Sequence, residues 1–217
     1  MANHTADELR RRLDAAWQHL TGQLHGMEPH LDSADAPGEW TTREVLSHLL
    51  FEPGFDPVKI LRSFAARDYP LVDIKPGDTN LDDRRRQMTL AQLNDALDAQ
   101  RRSVIAYLDS LDESDFARKG RIPLFKQFMG TAEIPIPMYV GALFDFHWND
   151  HAGQLAKIRQ AVGLPAGSVA GSMPASRSPR ISDPRDGVGA ATRSARASRR
   201  CATRGRPARS PRPRLRA

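Results

Sequence analysis

Trp40-Thr41-Thr42-Arg43-Glu44-Val45-Leu46-Ser47-His48-Leu49-Leu50 is the stretch on which the fold turns. Thr41 can accept from the orphan amides that open a helix. Glu44, three positions on, can reach back to the Thr41 amide and complete a capping box. Val45, Leu46, Leu49 and Leu50 then recur at helical spacing, so the segment predicts a helix with one apolar face. Pro53-Gly54 breaks it, after which Val58, Ile60, Leu61 and Phe64 resume the pattern.

Upstream, Leu9, Leu13, Trp17, Leu20 and Leu24 recur at intervals of three and four, which predicts an amphipathic helix from about Thr5 to His25, closed by Gly26 and Pro29. Downstream, the stretch from Asp68 to Met88 is rich in Pro, Gly, Asp and Arg and reads as a long connection, as expected where neighbouring helices run parallel. Thr89 and Gln92 form a second capping box, and Leu93, Leu97, Val104, Tyr107, Leu108 and Leu111 give a third long helix its apolar face, ending near Asp112. Arg121 to Pro137 holds three prolines and no clear period, so it reads as an ordered loop over one end of the molecule with some extended structure. Pro137 suits the first turn of a fourth helix. Val140, Phe144, His147, His151, Leu155 and Ile158 share its stripe until Gly163-Leu164-Pro165.

Four helices of bundle length without convincing strands predict an all-α domain, a four-helix bundle over residues 1–164. Residues 165–217 differ in kind. They hold 13 Arg, no Lys and 2 Asp, a net of +11, leaving 19 basic against 24 acidic residues in the domain, a net of −5. The basic balance therefore belongs to the tail, and the mildly acidic domain lacks the electrostatic footprint of a nucleic-acid binder. With almost no large apolar residues, the Arg/Pro/Ser-rich tail cannot offset its ordering entropy by burial, so it is expected to be disordered. An RNA-binding or membrane-surface arm and an extension without a role both suit that composition.

Cys201, the single cysteine, lies in the tail, so the domain has no disulfide, thiolate ligand or cysteine nucleophile. Metal ligands there must be His, Asp or Glu. No run of about 18 apolar residues occurs and the first dozen residues are polar, which predicts no membrane span, no signal peptide and a cytoplasmic location.

His147 and His151 stand one helical turn apart, so both rings can project toward one point and offer two nitrogens to a metal. As a pair they suit ordinary packing equally well, and a lone His48 among apolar residues suits a hydrogen-bonded core position. Packing of the second helix on the fourth would instead join His48 to the pair in a three-histidine face with coordination positions left open. Glu44 is accounted for by its capping box, and Glu52 lies one turn beyond His48. Asp145 and Asp150 read as surface or outer carboxylates, and Gln154 can hydrogen-bond near His151. Trp40, Trp148, Phe144 and Tyr139 read as core rather than as a substrate platform.

Two segments resemble a known family. The run Trp40 to Leu49 looks like the tryptophan-led, capped second helix of the DinB/YfiT-like superfamily, and His147-Trp148-Asn149-Asp150-His151-Ala152-Gly153-Gln154-Leu155 looks like its fourth-helix signature. The resemblance implies an up-down-down-up course in which His48, His147 and His151 bind a divalent metal ion, zinc or nickel. The family includes thiol-dependent S-transferases and isomerases, proteins assigned as metal-dependent hydrolases and many members with no established activity, so the resemblance leaves the reaction open. Three neutral imidazoles leave the ion's charge uncompensated, which favours deprotonation of a bound thiol or water. The domain has no thiol of its own, so the reading ranks a low-molecular-weight thiol attacking an electrophile first and hydrolysis second. A non-catalytic helical interaction module, metal-stabilised or metal-free and able to form a homodimer through an exposed helix face, is the alternative outside enzymology.

Overall fold

In the computed structural model, residues 3–74 and 77–167 are described. Helix α1 spans His4–Gly22, opened by the Asn3 side chain, which accepts from the Ala6 amide, and it buries Ala6, Leu9, Leu13, Ala16 and Leu20. Helix α2 spans Thr42–Leu49 and carries the expected capping box. Thr41 Oγ1 accepts from the Glu44 amide at 3.2 Å while Glu44 accepts from the Thr41 amide at 2.8 Å. The chain turns at Phe51, which adopts a left-handed φ of 58°, and resumes as α3, Pro57–Ser63, with Asp56 capping the amides of Val58 and Lys59. A short α4, Asp83–Arg86, lies within the long connection. Helix α5, Leu90–Asp109, starts at the second capping box, between Thr89 and Gln92.

Hydrogen bonds between helices fix their directions. Asn3 donates to the Leu111 carbonyl at 2.7 Å, Arg10 pairs with Asp109, and Arg101 reaches Asp14 at 2.5 Å, so α1 and α5 run antiparallel. Arg43 donates to the Met88 carbonyl and Gln100 to the Leu49 carbonyl, so α2 and α5 run parallel. The last helical segment begins as α7, Ile136–Val140, winds through a π-helical stretch, Gly141–Phe146, and continues as α8, His147–Ala161. It lies parallel to α1, because Arg12 meets Asp145, His19 meets Asn149 and Arg159 meets the Gln23 carbonyl in the same chain order. The course is therefore up-down-down-up, and the long connection after Asp68 is what two consecutive parallel helices require.

Two features depart from the sequence reading. A small antiparallel sheet pairs β1, Lys119–Arg121, with β2, Glu133–Pro135, giving definite strands where the sequence indicated only some extended structure between Arg121 and Pro137; Leu71 bridges to Arg121 beside it, and a one-turn helix α6, Lys126–Met129, lies between the strands. At Gly120 the missing Cβ lets the buried Phe64 ring sit directly against the strand. The π-helical stretch is the second departure. Its wider winding accommodates an extra residue, and it ends immediately before His147, where such insertions re-aim the side chains that follow.

Leu13, Ala16, Leu20, Leu46, Leu49, Leu93, Leu97, Phe144, Trp148 and Leu155 fill the centre of the bundle. Among the described residues, no helix is long and apolar enough to cross a membrane. From residue 168 onward the expected disordered tail lies outside the described residues.

Candidate metal centre

The three histidines come from two antiparallel elements. His48 occupies the last turn of α2, and His147 and His151 occupy successive turns at the start of α8. Antiparallel packing of these helices brings all three rings to one point, with the candidate ligand atoms within 4.8 Å of one another. His147 Nε2 lies 2.9 Å from His48 Nε2 and 3.0 Å from His151 Nε2.

The outer nitrogens decide how these contacts read. His48 Nδ1 donates to the Asp78 carbonyl at 2.5 Å, and His151 Nδ1 donates to Gln154 Oε1 at 2.9 Å. Both rings therefore hold their proton on Nδ1 and point a lone pair inward. His147 can contribute one inward proton, which serves one of its two neighbours. The other contact then sets lone pair against lone pair. His147 Nδ1 is buried, and the Leu143 carbonyl beside it does not close a hydrogen bond of good geometry with it. Three inward nitrogens with fewer protons than contacts fit a cation bound between them, and a carboxylate or carbonyl behind a metal-ligating imidazole is the usual way its orientation is fixed.

Electrostatics agrees with that donor chemistry. Burial, then the proximity of His151 and His48, pushes the His147 pKa down to about 3, with the Leu143 carbonyl opposing weakly. Burial also lowers His48, against the Asp78 carbonyl, and lowers His151, against Gln154 and Asp150. All three rings are neutral at neutral pH, the form that coordinates a metal.

Two aromatic residues wall the cluster. Trp40 lies 5° from parallel with the His151 ring at a centroid distance of 6.1 Å, and its ring is 4.9 Å from that of His48. Phe51 faces His147 at 6.2 Å, with planes 29° apart. Trp40 is thus half-buried against the histidines rather than a core residue, which corrects its sequence reading; Trp148, Phe144 and Tyr139 are core as expected.

Gln154 takes the place anticipated for it. Glu44 is engaged in the cap, Asp145 pairs with Arg12 and accepts from Asn149, and Glu52 and Asp150 are exposed. Among the described residues no carboxylate joins the three-histidine group. The Asp78 carbonyl was not anticipated. A main-chain oxygen has no residue-type signature, and the only clue is that Gly77-Asp78-Thr79-Asn80 reads as a tight turn.

A helical bundle with a three-histidine face shared by its second and last helices defines the class of protein. The sequence matches the DinB superfamily over residues 5–155, and the chain belongs to that superfamily. Among solved structures it is similar to YfiT from Bacillus subtilis, at 18% identity and a TM-score of 0.59, over 76% of this chain and 91% of that one. YfiT is described as a probable metal-dependent hydrolase with an unusual four-helix bundle topology. A protein from Streptococcus pneumoniae is similar at 13% identity and a TM-score of 0.50, over 75% of this chain and 94% of that one. At these identities the likeness carries the fold. No curated protein matches the sequence.

Proposed function

We propose that the chain is a divalent-metal-dependent enzyme whose ion is held by His48, His147 and His151. The observation that carries this reading is the convergence of three Nε2 atoms at 2.9 and 3.0 Å with two of the outer nitrogens already anchored on oxygen acceptors. A zinc or nickel ion bound there would supply Lewis-acid chemistry, lowering the pKa of a bound thiol or water so that it serves as a nucleophile near neutral pH.

The chain's own contribution is orientation and exclusion. Asp78 and Gln154 fix the ring planes of His48 and His151, and Trp40 and Phe51 present apolar faces that limit water around the site. Three protein ligands leave further coordination positions for a substrate, as catalytic sites need. Among the described residues no carboxylate joins the group, which favours a thiol as nucleophile. A free thiol has a pKa of about 8.5 and needs less help to lose its proton than water, whose pKa is about 15.7. The thiol must arrive as a low-molecular-weight cosubstrate that attacks a small electrophile. Hydrolysis by bound water is the second reading, favoured by the likeness to YfiT.

Turnover by metal-loaded full-length protein separates these readings. Consumption of a model electrophile that needs both a small thiol and the metal supports S-transfer. Consumption with water alone moves the reading to hydrolysis. No metal-dependent turnover of either kind would leave a helical interaction module.

A further inference from the structure

The end of α2 is met by a side chain from the long connection: besides the amides of Leu50 and Phe51, which donate to the Ser47 and His48 carbonyls, and Gln100, which donates to the Leu49 carbonyl, Arg85 reaches it from 34 positions beyond Phe51. Arg85 Nη1 donates to the Phe51 carbonyl at 2.6 Å, to the Ser47 carbonyl at 3.0 Å and to the Asn80 carbonyl at 3.0 Å. Ser47 lies in the last turn of the helix that carries His48, and Phe51 lies two residues beyond that helix. The third acceptor belongs to the turn that carries Asp78.

Among the described residues the other bonds of that turn are local. Asp78 is exposed; the Asn80 amide donates to Asp78 Oδ1 at 2.9 Å and the Asn80 side chain to the Asp78 carbonyl at 3.3 Å, and Asn80 has a left-handed φ of 55°. The Asp78 carbonyl is nevertheless the acceptor that sets the ring of His48. One guanidinium therefore ties the helix that supplies the ligand to the turn that orients it. Arg85 is itself placed by Asp82, which caps its amide at 2.8 Å at the start of α4. A cation over the carbonyl end of α2 is also favoured by the helix dipole.

We infer that Arg85 is a positioning residue for the three-histidine site: it fastens the Asp78–Asn80 turn to the end of α2 so that the Asp78 carbonyl holds His48 with its Nε2 lone pair facing His147. This inference rests on the metal reading for its consequence, though the geometry it invokes exists without a metal. Arg85 touches neither substrate nor ion. It acts through the hydrogen bond to His48, and loss of such an outer partner typically weakens metal binding about 10–100-fold.

The test uses the full chain with R85M, which keeps an apolar stem and removes the donors, and R85K, which keeps the charge and loses the fork. Nitrogen-15 correlation spectra of the histidine rings in metal-free protein read the tautomer of each ring. Zinc affinity is measured by competition with a chelator, and helicity by circular dichroism. In R85M, His48 is expected to leave the Nδ1–H form while His151, held by Gln154, keeps it, and zinc affinity should fall about 10–100-fold at unchanged helicity. R85K should fall between R85M and wild type. A role confined to holding the fold would lower the melting temperature without moving the His48 tautomer. A wild-type tautomer and wild-type affinity in R85M, or in R85K if R85M does not fold, would overturn the inference. Failure of wild-type protein to bind zinc would sink the metal reading instead, and the tautomer of His48 would still decide the role of Arg85.

Discussion

Replacing His147 by leucine should stabilise the metal-free protein while removing its capacity to be stabilised by metal. In the metal-free state His147 meets two inward lone pairs at 2.9 and 3.0 Å with at most one proton to offer, and its buried Nδ1 closes no hydrogen bond of good geometry. Leucine has a similar volume and retains packing against Phe51. It deletes the unsatisfied polar atoms, each of which costs about 1–3 kcal/mol when buried. Taking one such group as the net gain, the metal-free melting temperature should rise by roughly 2–12 °C, at about 2–4 °C per kcal/mol for a domain of this size. Added zinc should raise the wild-type melting temperature by mass action, worth about 2.7 kcal/mol at a hundredfold excess over Kd, and leave the variant unmoved. Thermal melts of chelator-treated full-length protein, with and without zinc, read both effects. A variant that melts below wild type without metal, yet still gains from zinc, would refute the reasoning.

Acid should weaken the metal-free bundle early. Burial holds His48, His147 and His151 below their ordinary value of 6.5, His147 down to about 3, so the unfolded chain takes up these protons first. Their contribution is intact above pH 6.5 and is lost as pH falls toward 3, and denaturant melts followed across that window should show stability declining throughout; a flat profile would contradict the assignment. Gly120→Ala should cost about 1–3 kcal/mol, because its Cβ would overlap the buried Phe64 ring, and a melting temperature equal to wild type would refute that contact. Arg159→Leu removes a buried cation that donates to the Gln23, His25 and Pro165 carbonyls. It should destabilise by at least about 1.5–3 kcal/mol without changing metal content, and loss of metal in a folded variant would show that the end of α8 is coupled to the site.

Local rules carried the sequence reading where the cause of an element is local. Thr41 with Glu44 and Thr89 with Gln92 mark two helix starts within the span of a few residues, and both boxes form. The one-turn spacing of His147 and His151 likewise survives because helix geometry imposes it. His48 joined them only through the packing direction of α2 against α8, which the family resemblance supplied and composition did not.

What escaped depends on contacts distant in sequence. The Phe64 ring, far upstream in sequence, occupies the space that a Cβ at Gly120 would need. The π-helical stretch before His147 has no residue-type signature. Nearby, a Cβ on Gly141 would crowd Arg12, and Asp145 pairs with that same arginine, contacts that exist only once α1 lies alongside. Trp40 read as core because aromatic residues at helical spacing usually are. Its position beside His48 and His151 follows from where the chain enters α2, a tertiary fact.

The central claim is tested most directly by the metal content of purified full-length protein, wild type against His48→Ala and the His147→Ala/His151→Ala double variant, with circular dichroism as the control for folding. The account predicts about one divalent ion per wild-type chain, lost from variants that remain helical. Wild-type protein that stays free of metal after reconstitution with zinc and with nickel would contradict it.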